Sequence, residues 1–259
     1  MGQYYIGVNL TKKEFLYPLD FRTGLKLMES SYVGNKFTDA LAWLVENDWH
    51  GDRVALVGDY AWEDFTSEMG QEAYEKLQTC DSDPFLLKQD PEARNAGTRF
   101  STYGPHPNEW NRAEIAGATR EIVAPTLRFV YNETKGVYLD RREAPVAWSY
   151  VDEADKSLHF VRIDPLAMYL AIGNGLGGGD YHNRPGYDFV GSWAFDVVGA
   201  TDIEPEGLEK IECPFDENGV FLTATDGEIL AAVDVEKLSS DYPSSAELMR
   251  FLDLEAEAA

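Results

Sequence analysis

The sequence predicts an α+β fold in which antiparallel hairpins and short sheets pack against helices. Short apolar segments joined by polar turns predict the hairpins, first over 3–9 and 13–19 around Thr11-Lys12, then over TLRFVYN and KGVYLDR around Glu133-Thr134. Apolar residues that recur three and four positions apart predict helices, most clearly in KFTDALAWLVEN. Strand pairs and helices that alternate without a regular βαβ pattern are typical of the α+β class.

In the first half, the hairpin is followed by two helices, a strand and a third helix. Thr23 precedes GLKLMESS and Asn35 precedes KFTDALAWLVEN, each at the N-cap position that Thr and Asn favour. The apolar run over 53–60 lies between glycines and predicts a buried strand. Residues 62–77 predict a third helix with an acidic side. That side carries Asp64, Glu68, Glu72 and Glu75.

In the second half, WSYV and HFVRI predict another strand pair after the hairpin. Asp164 followed by Pro165 predicts the start of a short helix, which we expect to end at Gly173. A glycine-rich loop and a buried strand come next. Alternating apolar pieces and turns predict further antiparallel strands over 203–235, and Ser244 with Glu247 predicts a closing helix near 244–256.

The two hairpins resemble each other, which predicts an internal duplication. NLTKKEFL from Asn9 and NETKGVYL from Asn132 share Asn, Thr, Lys and Leu at one constant offset, and the strand VALVGDY resembles FDVVGATD with Gly58 against Gly199. We therefore predict two related hairpin–helix–strand units, although a chance match between two hairpins is the alternative. The predicted divisions are 1–78 for the first unit, 79–126 for an irregular connection with a short helix, and 127–259 for the second unit.

The chain is strongly acidic, with 22 Lys and Arg against 46 Asp and Glu and a net charge of −24. Such a field repels nucleic acids and anionic membranes, so direct binding to either is not expected. The acidity is either a solvated surface or an imitation of a polyanion, for which Glu68 and Glu72 are the candidate residues. The chain has no apolar run long enough for a membrane span and no signal-peptide pattern at its start, which predicts a cytoplasmic protein.

The glycine-rich segment GNGLGGGDYHN is the candidate ligand-binding site. It has neither the Lys-Ser/Thr of a phosphate-binding loop nor the strand–glycine–helix order of a dinucleotide site. Its glycine amides could still bind an anion beside a positive charge, or the glycines could only permit a turn. The predicted ligand-binding residues are Gly173, Gly175, Gly177, Gly178, Gly179, Tyr181, Arg184 and Trp193.

Acidic residues and a histidine in the same segment suggest a second kind of site. Asp180, His182 and Asp196 are candidates for the roles of acid, base or metal ligand in catalysis, and Asp188 joins Asp180 and His182 as a candidate metal ligand. In a chain this acidic, such groupings also arise by chance. No cofactor is predicted.

Several segments resemble a set of uncharacterised prokaryotic and phage proteins that begin M-G-Q-Y-Y. They are MGQYY, KLME (26–29), GDRVALVGDYA (51–61), GNGLGGGDYHN and VGSWA (190–194). Those proteins carry a GGGD segment shortly before a GSWAGDR-type strand, whereas this chain has Phe195-Asp196 in place of Gly-Asp-Arg. The resemblance implies a microbial or viral origin and assigns no catalytic residue.

Three functions are compatible with these observations. The favoured one is a binding or regulatory protein that engages a protein partner or a small molecule through the glycine and aromatic loop. The alternatives are a small-molecule hydrolase or transferase with an Asp/His site, and an inhibitor that imitates nucleic acid to bind a basic host protein.

Overall fold

The computed structural model confirms the α+β class. It describes residues 3–32, 34–61, 84–97, 127–144, 146–151, 158–173 and 189–212, together with Glu72, Glu75, Lys76 and Thr79. The predicted short helix of the irregular connection, the strands predicted beyond residue 212 and the C-terminal helix lie outside these residues.

Among the described residues, the first sheet has five strands in the order β4-β2-β1-β3-β9. The central strand β1 is antiparallel to β2 and β3, while β2 and β4, like β3 and β9, are parallel pairs. The predicted hairpin and the predicted buried strand are both confirmed. The strands are β1 (Tyr5–Asn9), β2 (Glu14–Leu16), β3 (Val54–Gly58), β4 (Arg94–Asn95) and β9 (Ala171–Ile172).

The second sheet has the order β10-β5-β6-β11. The hairpin β5–β6 in this sheet is the one predicted around Glu133-Thr134. The predicted strand pair β7–β8 is also present as a separate hairpin. The expectation of antiparallel strands from residue 203 is wrong for β11, which is parallel to β6 because the chain crosses to the far edge of the sheet after β10. The strands are β5 (Phe129–Asn132), β6 (Val137–Asp140), β7 (Val146–Val151), β8 (Leu158–Arg162), β10 (Val198–Thr201) and β11 (Glu209–Lys210).

The described helices include α1 (Leu27–Ser30), α2 (Lys36–Glu46) and α3 (Pro165–Leu170). Asn35 caps α2 as predicted, since its side chain accepts a hydrogen bond from a backbone N–H in the first turn. The cap predicted at Thr23 is wrong: α1 begins at Leu27 after Lys26, and the Thr23 hydroxyl donates to the Pro18 carbonyl at 3.0 Å.

The Asp164 cap of α3 is also confirmed, because its side chain accepts from the Leu166 N–H at 3.0 Å. The helix nevertheless ends at Leu170 and not at Gly173. The next two residues pair with β3 instead of continuing the helix, so tertiary strand pairing replaces the last predicted turn.

The two halves of the chain have the same strand order, since β4-β2-β1-β3 corresponds to β11-β6-β5-β10. Asn9 lies opposite Val54 in the first half, and Asn132 lies opposite Val198 in the second. In this register Ala55, and not Gly58, is equivalent to Gly199. The alignment of the third strands predicted from sequence is therefore out of register with the structure. With the shift, Trp-His-Gly-Asp (49–52) corresponds to Trp-Ala-Phe-Asp (193–196).

The two halves interlock. Helix α2 packs on β10 of the second sheet, while α3 and β9 pack on β3 of the first sheet. A β-bridge joins Arg53 to Val197, and the Phe195 N–H donates to the Val54 carbonyl at 2.7 Å. One hydrophobic cluster therefore contains residues from both predicted units, among them Leu41, Val54, Val130, Leu166 and Val198. The units predicted at 1–78 and 127–259 share a core.

Candidate functional site

The glycine-rich segment follows β9 in the sequence, and the structure describes its first residue, Gly173, at the carboxyl end of that strand. Because β9 is parallel to β3, Gly173 follows β9 at the edge of the sheet where β3 ends at Gly58. The carboxyl ends of neighbouring parallel strands are a common location for ligand sites in sheets that contain such pairs.

Gly173 has no room for a side chain. A Cβ at this position would lie 2.0 Å from Gln3 Oε1 and 2.6 Å from the Tyr5 hydroxyl oxygen. Gln3 and Tyr5 are fully buried, and the Tyr5 hydroxyl donates to Gln3 Oε1 at 3.0 Å. A Cβ at Gly58 would also lie 2.5 Å from the Gln3 side chain. Gly173 therefore packs closely against the buried side chains of Gln3 and Tyr5.

The chain returns from the loop onto α3. The Gly191 N–H donates to the Met168 carbonyl at 3.0 Å, and the Trp193 N–H donates to the Tyr169 carbonyl at 2.8 Å. Gly191 has a φ of +80°, and a Cβ there would lie 2.6 Å from the Ala171 carbonyl oxygen. Both ends of the loop are thus held at α3 and β9.

Trp193, a predicted ligand-binding residue, lies in the core. Its ring stacks on Tyr169 with 4.1 Å between centroids, and the residue is 2% exposed. The other predicted loop residues lie outside the described residues, so their roles stay predictions. They are Gly175, Gly177, Gly178, Gly179, Asp180, Tyr181, His182, Arg184 and Asp188.

Asp196 is the candidate catalytic residue that the structure describes. It is 2% exposed, and its Oδ2 accepts from Asn132 Nδ2 at 2.8 Å. The ammonium of Lys76 donates to Oδ1, and Lys135 Nζ lies 4.0 Å from Oδ2. These contacts give the buried carboxylate a hydrogen-bonded amide and two nearby positive charges, which offset the cost of burying it.

Glu72, from the predicted polyanion-like row, completes this cluster. It lies 3.0 Å from the ammonium nitrogens of both Lys76 and Lys135. Hydrogen bonds from Lys135 and then Lys76 lower the pKa of Glu72. Burial alone would lower the pKa of Lys76, but its hydrogen bonds to Asp196 and Glu72 outweigh burial and raise it. Glu72 is therefore paired with lysines within its own chain.

The first half contains the same turn network. Asn9 Nδ2 donates to Asp52 Oδ2 at 2.8 Å, as Asn132 does to Asp196. The Oδ1 atoms of Asn9 and Asn132 each accept from a backbone N–H three residues later, at 2.9 Å in both turns. The network ties each hairpin turn to the start of the third strand. The first half has this network although only two residues separate α2 from Trp49. The network therefore does not depend on the glycine-rich segment, and we assign Asp196 a structural role.

Threonines complete the two networks in equivalent positions. The Thr11 hydroxyl oxygen accepts from the Arg53 N–H at 3.1 Å, and that of Thr134 accepts from the Val197 N–H at 3.0 Å. Sequence reasoning missed this role. The available signal was Asn-x-Thr-Lys repeated in both hairpins, together with Trp-x-x-Asp before both third strands.

Sequence reasoning also missed a buried ion cluster between the halves. Arg141 is fully buried, donates to the Leu127 carbonyl at 2.7 Å and pairs with the capping carboxylate of Asp164. Asp39, on α2 of the first half, lies 3.7 Å from the same guanidinium. The sequence around Arg141 does not indicate that it is buried, because the adjacent Arg142 is the same residue type and is exposed.

An acidic surface lies near β10. The pKa of Glu46 is raised by burial and by the neighbouring charge of Asp202. The pKa of Tyr131 is raised by burial and by Glu133 and Glu46. Burial is the main cause of both shifts, and the neighbouring carboxylates add to it. In the described part of the chain, His, Cys, Asp and Glu form no group of three that could hold a metal ion.

Comparisons with known proteins give no match: no family model fits the sequence, and no curated protein or solved structure resembles it detectably. Within the described ranges, no helix has the length and apolar character needed to cross a membrane.

Proposed function

We propose that the chain is a binding or regulatory protein that engages its ligand through the glycine-rich loop of the second half. The observation that supports this is one difference between halves that share a strand order and a turn network, another being the hairpin β7–β8. Only Asn47 and Asp48 separate α2 from Trp49, whereas residues 171–192 separate α3 from Trp193. Strand order and turn network correspond in both halves, so the loop is an insertion into a repeated scaffold.

An insertion of this kind is a typical location for function. A long connection costs conformational entropy, and the first half closes the corresponding connection with two residues. Residues 171–173 and 189–192 pack on the scaffold, so 174–188 is the part that the shared fold does not require. The ends of the loop are fixed by Gln3, Tyr5 and Tyr169, which would present the intervening residues from a rigid base. Rigid ends reduce the entropy that a ligand must overcome on binding.

The experiment is a thermal-shift screen of the full chain against nucleotides, sugar phosphates, amino acids and divalent cations. We expect at least one compound class to raise the melting temperature in a concentration-dependent way, as binding to the native state requires. Gly178→Val should abolish that shift while the melting temperature without ligand stays close to that of the wild type. Ile203→Ser, at a residue that is 78% exposed, is the matched control outside the loop.

A shift that is unchanged in Gly178→Val, or no shift with any compound class, contradicts loop binding of a small molecule. A protein partner then has to be tested by comparing what immobilised wild type and Gly178→Val retain from a prokaryotic lysate. Equal retention by both proteins rejects the loop as the binding site altogether.

We further propose that the protein acts in the cytoplasm of a prokaryote or its phage without contacting nucleic acid directly, and that it belongs with the M-G-Q-Y-Y proteins. The net charge of −24 supports the absence of direct nucleic-acid binding. The matching strand order and turn networks support an internal duplication as the origin of the two halves.

A further inference from the structure

The hairpin turn of the second half is a docking site for a helical segment. Glu72, Glu75 and Lys76 are helical, and this segment meets the turn through two charge contacts. Glu72 pairs with Lys135 of the turn, and Lys76 donates to Oδ1 of the buried Asp196. Glu and Lys four residues apart lie on the same face of a helix, so both contacts form together.

The hairpin turn of the first half presents the equivalent groups. Asp52 Oδ2 accepts from Asn9, as Asp196 Oδ2 does from Asn132. Lys12 Nζ pairs directly with Asp52 Oδ2 at 2.7 Å, whereas Lys135 Nζ lies 4.0 Å from Asp196 Oδ2 and pairs with Glu72. The Asp52 side chain is 10% exposed and that of Lys12 is 38% exposed. The neighbouring residues Thr11, His50 and Gly51 are exposed.

No residue that the structure describes occupies the place of Lys76 at this first turn. The contacts of Asp52 are with Asn9 and Lys12 through Oδ2, whereas the corresponding Asp196 uses its Oδ1 for Lys76. Lys12 also donates to the Asp48 carbonyl, which keeps its ammonium at the turn. Among the described residues, the first turn thus has the Asn, Asp and Lys of the second turn but no counterpart of Lys76.

We propose that the hairpin turn of the first half is a docking surface for a helical segment of a partner protein that carries an acidic residue and a lysine four positions later. The acidic residue pairs with Lys12 and the lysine with Asp52. Charge complementarity and the internal precedent of Glu72 and Lys76 identify this partner chemistry. The proposal does not use the glycine-rich loop, so its failure and that of the proposed function are independent.

The probe is a synthetic peptide of residues 62–79, which contains Glu72 and Lys76, added to the isotopically labelled full chain at low salt. We expect the amide signals of residues 9–13 and 50–53 to shift on titration. Lys12→Gln in the protein, or Lys76→Gln in the peptide, should weaken binding about fivefold, as expected for the loss of one partly exposed ion pair. Lys210→Gln, which removes an exposed pair with Glu143 elsewhere, should leave binding unchanged.

A charge exchange provides the second variant. Lys12→Glu in the protein should abolish binding of the natural peptide, and the peptide with Glu72→Lys should restore it to within about twofold. Loss of binding in Lys135→Gln but not in Lys12→Gln means that the peptide only replaces the chain's own segment at the second turn, and overturns the proposal. No shift of residues 9–13 up to millimolar peptide also overturns it, as does concentration-dependent self-association that Lys12→Gln removes.

Discussion

Arg141→Met tests how strongly the buried ion cluster holds the two halves together. Arg141 and the side chains of Asp39 and Asp164 are fully buried, so methionine would leave two carboxylates without their shared counterion. It would also remove the donor to the Leu127 carbonyl. Removing one partner of a buried pair costs about 3–5 kcal/mol, and methionine fills most of the arginine volume, so little of this loss is a cavity effect. We expect unfolding free energy to fall by that amount, a large part of the roughly 5–15 kcal/mol of a typical domain.

The assay is urea unfolding at neutral pH, followed by tryptophan fluorescence and far-UV circular dichroism. Coincident transitions and an unchanged dependence on urea would show that the loss is one of stability. Adding Asp39→Asn and Asp164→Asn to Arg141→Met should recover most of the loss, because no buried charge remains and Asn still caps α3. Lys210→Met, in an exposed ion pair, should change stability by less than about 1 kcal/mol. A loss below about 1 kcal/mol in Arg141→Met, or a triple variant no more stable than the single one, would refute the reasoning.

Three further predictions concern the loop base, the acidic surface and the turn networks. Gly173→Ala should destabilise the chain by about 1–3 kcal/mol because its Cβ has no space, and an unchanged urea midpoint would contradict the described packing. The raised pKa of Glu46 means that its ionised form opposes folding, so its contribution to stability falls as pH rises through that pKa. Glu46→Gln should therefore raise the melting temperature at pH 7, and the gain should vanish below the ordinary Glu value of 4.5; a gain that persists in acid would reject this cause. Asn9→Ala and Asn132→Ala should each cost about 1–3 kcal/mol in urea unfolding, since each leaves a buried carboxylate short of a donor, and a large difference between them would show that the two networks are not equivalent.

The elements that the sequence predicts correctly are those whose signal is local. Both hairpins follow from short apolar segments joined by polar turns, and α2 follows from its cap and its apolar face. The strand over 53–60 follows from an apolar run between glycines. Each of these patterns is complete within fewer than about twenty consecutive residues, so no tertiary information is needed to recognise it.

The elements that sequence reasoning missed depend on contacts between distant residues. Strands β4, β9 and β11 have two residues each and exist only because their backbones pair with β2, β3 and β6. The early end of α3 has the same cause. Arg141 is buried and Arg142 is exposed, yet the residue type is identical. No periodicity distinguishes these cases, because the deciding partner lies far away in the sequence.

At the candidate site, sequence patterns also do not distinguish structural residues from functional ones. Asp196 and Trp193 are site candidates in the sequence because they lie near the glycines, but Asp52 and Trp49 occupy the equivalent positions in the first half. Residues at equivalent positions in the two halves contribute to the turn network and to the core, which both halves contain. The shared scaffold does not account for the features that the second half has alone, among them the hairpin β7–β8 and the segment that follows β9 from Gly173, where Gln3 and Tyr5 pack. The internal comparison thus separates residues of the shared scaffold from the proposed binding segment. It directs ligand searches to residues 174–188 and partner searches to the first-half turn, where no described residue takes the place of Lys76.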